Sequence, residues 1–200
     1  MKTKAQFVKH LAFIVLTACS LVSAQATIHS YTVSFGPEAV GATGTGSGTV
    51  NYDDVAHTVS LQGSWSGLSG NTTISHIHLP TATPFTGTAG VVITPGNLPS
   101  FPAGVTAGSY SMSFDMTQAS TYPAAFITAN GGTTAGAEAA VFTAFNEGRA
   151  YWNIHTSTFG GGEIRGFTTL VPEPSSLALA GLGIAAFAAR VWSKRRAKIS

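Results

Sequence analysis

The chain has 200 residues, 44% of them apolar and only 9% Asp, Glu, Lys or Arg; this excludes a disordered chain, which combines low hydrophobicity with high charge. Its 23 Gly and 9 Pro favour short strands joined by turns over long helices. The formal charge of +2 belongs to the two ends: between residues 27 and 170, Arg149 and Arg165 stand against Glu38, Asp53, Asp54, Asp115, Glu138, Glu147 and Glu163, a net charge of −5 that repels a phosphate backbone.

At the N-terminus, Lys2, Lys4 and Lys9 precede an apolar run over residues 11–22 and then Ser23-Ala24-Gln25-Ala26. A positive start, a short apolar middle and small residues before cleavage predict a secretory signal peptide over residues 1–26. Leu16-Thr17-Ala18-Cys19 also resembles a bacterial lipobox, which would lipidate Cys19. Leu21 and Val22 prolong the apolar run and favour the later cut, after which no cysteine and no disulfide remain.

Residues 27–170 follow, enough for one core. Tyr31, Val33 and Phe35 alternate with polar residues and predict a half-buried strand. Residues 44–48 are rich in Gly, Thr and Ser and predict a loop or bulged edge. Residues 49–52 and 57–61 predict a hairpin around Asp53-Asp54, an acidic turn lacking the oxygen ligands of a calcium loop. Further strands are expected at 74–79, stopped by Pro80, and at 91–93, 109–116, 149–156 and 163–169. One helix is expected at 135–146, stopped by Gly148. Seven or eight short strands with one minor helix predict an all-β, antiparallel sandwich.

The last 30 residues differ in kind. Residues 177–189 are almost wholly apolar and lead to Arg190, Trp192, Lys194, Arg195 and Arg196. As a helix they cover roughly 20–27 Å at ~1.5 Å per residue, short for a ~30 Å hydrocarbon core. Arg190 can snorkel and Trp192 can sit at the interface. The pattern predicts a transmembrane helix with its basic end in the cytoplasm and the preceding domain outside. Val171, Pro172, Glu173 and Pro174, then this helix, then the basic cluster, resemble the PEP-CTERM sorting signal of Gram-negative bacteria. The resemblance covers residues 171–200. It implies processing by an exosortase partner, passage through the inner membrane with transient anchoring by the helix, and a final place at the cell surface or outside it. It also suggests extracellular polysaccharide or envelope proteins as partners.

The polar residues worth weighing lie in the 74–79 strand and the last hairpin. His76 and His78 are two apart and leave one strand face, as do Asn153 and His155, and Glu163 and Arg165. If the last two strands pair, the Asn153/His155 face can meet the Glu163/Arg165 face in a charge-assisted cluster. His76-Ile77-His78, Tyr151-x-Asn153-x-His155-Thr156 and Gly161-Gly162-Glu163-Ile164-Arg165-Gly166 resemble the CHRD domain, first described in chordin and widespread in bacteria. The match covers most of residues 27–167; Phe167 departs from the Gln common after Arg-Gly. The resemblance implies an extracellular, immunoglobulin-like β-sandwich and no established activity.

Two readings of the cluster stand. One is a structural network of His76, His78, Asn153, His155, Glu163 and Arg165 that pins the last hairpin, favoured by the cation of Arg165 near any bound metal. The other is a zinc or copper site of His76, His78 and His155, with Glu163 as a candidate fourth ligand. His29 and His57 read as surface residues. Gly-x-Ser-x-Gly and phosphate-loop motifs are absent, and no carboxylate pair has a positional argument, so no enzyme is expected. Two function classes remain: a non-enzymatic binding or structural module of the envelope or matrix, needing no cofactor, and an extracytoplasmic metal-binding protein, open to redox chemistry.

Overall fold

A computed structural model describes residues 27–172 and 181–187, with 190 and 192. The expected signal peptide lies outside the described residues, as do Glu173 and Pro174 of the sorting motif. The apolar run from 177 to 189 is described only at 181–187, which are helical. Among the described residues, no helix is long and apolar enough to cross a membrane.

Alternation sets the strands. In β1 (Ile28–Pro37), Tyr31, Val33 and Phe35 are buried between exposed Thr32 and Ser34. The same period runs through β2 (Thr45–Asp53), β3 (Thr58–Ser66) and β6 (Gly108–Asp115). β4 (Thr72–His78), β5 (Val91–Ile93) and β8 (Ile164–Leu170) are more deeply set, and every residue of β7 (Tyr151–Thr156) is buried. All neighbours pair antiparallel, in the order β5-β4-β7-β8-β1-β2-β3-β6.

The all-β antiparallel expectation describes this architecture, but the strands form one sheet where two were expected. The reason is β8, which pairs with β7 on one side (Asn153↔Arg165) and with β1 on the other (Gly36↔Arg165). The sheet curls over Trp152. Its ring lies 5.1 Å from that of Phe35 and 6.1 Å from that of Tyr110, and its indole N–H donates to Ser75 Oγ at 2.7 Å. A Cβ at Gly63 would stand 2.8 Å from the indole. Glycine there serves close approach.

Close approach also explains the stretch at 44–48, expected as a loop or bulged edge and observed, from Thr45 on, as the start of β2. A Cβ at Gly46 would strike the Ser64 carbonyl, and one at Gly48 would stand 2.9 Å from that of Gln62. Two helices follow β6. α1 (Ala124–Ala129) was not expected. α2 (Thr134–Asn146) was, and the Thr133 hydroxyl caps it by accepting from Gly136 N. α2 packs Phe145 on Tyr31 at 5.4 Å, and the Tyr31 hydroxyl donates to Asn146 Oδ1 at 2.8 Å.

Candidate metal centre

β4 and β7 are hydrogen-bonded neighbours, with His76 opposite Asn153 and His78 opposite Tyr151. Strand parity keeps His76 and His78 on one face, and it places Asn153 and His155 on the matching face of β7. The ring centroids of His76 and His155 are 4.9 Å apart, and those of His76 and His78 are 5.4 Å apart. His76 Nδ1 lies 3.1 Å from His155 Nε2. One nitrogen from each of the three imidazoles falls within 4.8 Å of the others. His76 and His155 are buried, His78 half-buried.

Two backbone carbonyls decide the tautomers. His78 Nδ1 is 2.9 Å from the Ala89 carbonyl, and His155 Nδ1 is 2.9 Å from that of Gly160. A carbonyl only accepts, so each Nδ1 carries the hydrogen and each neutral ring keeps its Nε2 lone pair. That is the arrangement in which an outer-sphere acceptor orients a metal-binding imidazole. Tyr151 stacks on His78 at 4.7 Å with the rings 5° from parallel.

Burial lowers the pKa of His76 from 6.5 to about 4, and the neighbouring His155 and His78 add to the effect. Burial also lowers that of His78, against the pull of the Ala89 carbonyl and the Asn153 side chain. Both rings are therefore neutral at pH 7, the state that binds metal. His78 Nε2 and Asn153 Oδ1 are buried and have no hydrogen-bond partner among the described residues.

Beside the imidazoles lies a carboxylate that sequence reasoning missed. Glu38 Oε1 is 3.5 Å from Arg165 Nη1, and Asn153 Nδ2 donates to Glu38 Oε2 at 3.4 Å. Arg165 also donates to the Gly87 carbonyl at 2.9 Å and lies over the rings of Tyr151 and Phe167. Burial raises the Glu38 pKa, and Arg165, Asn153 and His155 offset part of the rise. Glu38 follows β1 directly, and the β1–β8 register carries it to Arg165. A Cβ at Gly162 would collide with its carboxylate, so the Gly-Gly turn makes its room. No local signal at residue 38 announces this.

Glu163 is not in the cluster. It is fully buried on another side of the hairpin, where its carboxylate accepts from Ser69 N at 2.6 Å, Ser69 Oγ at 2.8 Å, Gly70 N at 3.3 Å and Thr156 Oγ1 at 2.6 Å. Burial alone would raise its pKa, but these donations outweigh it and hold the carboxyl below the usual range. The expected contact with Arg165 and the suggested metal-ligand role are both corrected. Glu163 precedes β8 and follows Gly162, whose φ is +125°. Parity counted back from Arg165 does not survive that turn.

His57 is exposed, as expected, and His29 is half-buried, but both have partners. His57 Nδ1 is 3.0 Å from both carboxylate oxygens of Glu138 on α2, and His29 packs 4.7 Å from Phe142.

Fold and cluster together define an all-β antiparallel domain in which three imidazoles from two neighbouring strands converge, two of them buried and one half-buried. The chain belongs to the CHRD family, whose domain model matches residues 23–168. A PEP-CTERM protein-sorting motif matches residues 170–196, and it implies export and processing by an exosortase. No curated protein and no solved structure matches the chain.

Proposed function

We propose that the domain is an extracytoplasmic metal-binding module that holds one zinc or copper ion through His76, His78 and His155. It is non-enzymatic and works in the envelope or matrix, where polysaccharide or envelope proteins are its partners. In this reading residues 1–26 are the cleaved signal, residues 27–170 the binding domain, and residues 171–200 the sorting segment that anchors it transiently in the inner membrane. The curled sheet is read as an immunoglobulin-like sandwich with its two wings joined through β8.

One observation carries the metal reading: three imidazole nitrogens converge within 4.8 Å while carbonyls hold the outer Nδ1–H groups of His78 and His155. With neutral rings, the competing structural network leaves His78 Nε2 and Asn153 Oδ1 as buried acceptors with no donor among the described residues, at a cost of about 1–3 kcal/mol each. Only a protonated His78, which burial opposes, would bond the Asn153 side chain. Arg165 opposes a cation less than its charge suggests, because Glu38 pairs with it.

The test is metal analysis of the purified chain, followed by thermal melts with zinc, with copper and with chelator. A ligand at about a hundred times its Kd stabilises by about 2.7 kcal/mol, so the melting temperature rises. His76→Ala and His155→Ala abolish that rise, with affinity falling about 100-fold or more. A wild-type melt indifferent to chelator, zinc and copper removes the proposal and leaves the structural network.

A further inference from the structure

We infer that Asn153 closes this centre as a fourth, oxygen ligand positioned by Glu38, which makes it a site that stores an ion and keeps no position open for substrate. The inference rests on the metal reading and adds to it the one polar side chain whose orientation the neighbours dictate.

The amide of Asn153 has two ends, and Glu38 chooses between them. An ionised carboxylate accepts hydrogen bonds and cannot donate, so the end facing Glu38 Oε2 at 3.4 Å is the NH2 group. Glu38 is itself held by Arg165 at 3.5 Å, and Arg165 by the Gly87 carbonyl at 2.9 Å. Oδ1 therefore points away from Glu38, in a residue only 2% exposed, and meets no donor among the described residues. Asn153 is directly opposite His76 in the ladder, and His155 is two residues along on the same face. His78 Nε2 is the second buried acceptor without a donor. Two unpartnered lone pairs in one buried cluster call for a cation or a water molecule between them. A cation accounts for the converging imidazoles as well.

The charge pattern agrees. Imidazole nitrogens and an amide oxygen are ligands that bring no negative charge, while Glu38 and Arg165 pair beside them. Four protein ligands are the mark of a closed site, whereas three plus an exchangeable position mark a catalytic one. The carboxylate behind Asn153 plays the part that the Ala89 and Gly160 carbonyls play behind His78 and His155.

The experiment loads the full chain with Cu2+, confirms stoichiometry by metal analysis, and titrates sodium azide, an anion that binds copper only where a coordination position is free. The wild type is expected to show no azide charge-transfer band. Asn153→Ala is expected to gain one and to bind Cu2+ and Zn2+ about tenfold more weakly. Asn153→Asp should stay closed to azide and bind both ions more tightly, since it replaces a neutral oxygen by a charged one. If Asn153→Ala fails to fold, the wild-type and Asn153→Asp titrations still decide. An azide band on wild type equal to that of Asn153→Ala, or tighter binding absent in Asn153→Asp, overturns the fourth ligand while leaving the three-histidine site intact. A wild type that takes up no metal overturns both.

Discussion

Two polar groups that meet at the β7–β8 hairpin use their surroundings in opposite ways. Around Glu163, two backbone amides and two hydroxyls supply four donations to one carboxylate, and nothing is left over. Around His76, His78 and His155, the outer nitrogens of two rings are satisfied by carbonyls, while His78 Nε2 and Asn153 Oδ1 have no hydrogen-bond partner among the described residues. The first group ties Ser69 and Gly70 to the last hairpin and is complete as folded. The second is orientated but incomplete. Completeness separates a structural device from a binding site, because a buried acceptor without a donor costs free energy unless a ligand arrives.

The sharpest way to break this comparison is Glu163→Ala. It strips the acceptor from four donors, of which Gly70 N and Thr156 Oγ1 are buried, for a loss of about 3 kcal/mol, or roughly 10 °C in melting temperature for a domain of this size. Metal affinity should be unchanged. A melt within about 2 °C of wild type would mean that water replaces the carboxylate and that the two groups do not differ as argued.

Acid separates them next. The folded His76 has its pKa lowered from 6.5 to about 4. Above about 6.5 it is neutral in both states, whereas below that the unfolded chain binds a proton that the folded one refuses. Stability therefore falls as pH drops from 6.5 towards 4. Glu163, whose folded pKa lies below 4.5, adds its loss only at lower pH, when protons reach the folded carboxylate. Denaturant melts from neutral pH downward should show the upper limb shrink in His76→Ala, leaving the part that belongs to His78, and the lower limb vanish in Glu163→Gln. One limb that ignores both variants would refute the assignment.

The smallest expected effect tests a buried carboxylate whose partner is half exposed. Glu138 of α2 accepts from the Tyr52 hydroxyl at 2.8 Å and meets the ring of His57, which is half exposed. His57 has φ +52°, so His57→Asn removes the imidazole while keeping a residue that tolerates this backbone. The cost should be at most about 1 kcal/mol and should shrink with salt. A loss as large as that of Glu163→Ala would show that the exposure of the His57 partner does not weaken its pairing.

Period-2 alternation made β1 and β6 legible, since Tyr31, Val33, Phe35, Tyr110 and Phe114 must share a buried face. The helix at 134–146 was legible from its composition and the stop at Gly148. The start of β2 was not, because Gly46 and Gly48 look like turn residues until the packing of Trp152 and the close Ser64 and Gln62 backbone is seen. In the cluster, the shared face of His76 and His78 is a local property. Glu38, Ser69 and Gly70 are chosen by partners between 93 and 115 residues away, and nothing near them in the chain announces it.

By itself, then, the sequence determined the strand periods, the C-terminal sorting motif, and which side chains leave a strand together, because these depend on neighbours within a few residues. Only the tertiary structure decided that β4 lies beside β7, that β8 joins both wings into one sheet, and that Glu38 stands near the histidines in place of Glu163. The physical reason is register across the curled sheet. A glycine turn with positive φ ends the parity that sequence counting relies on, and strand order then sets which lone pairs face one another.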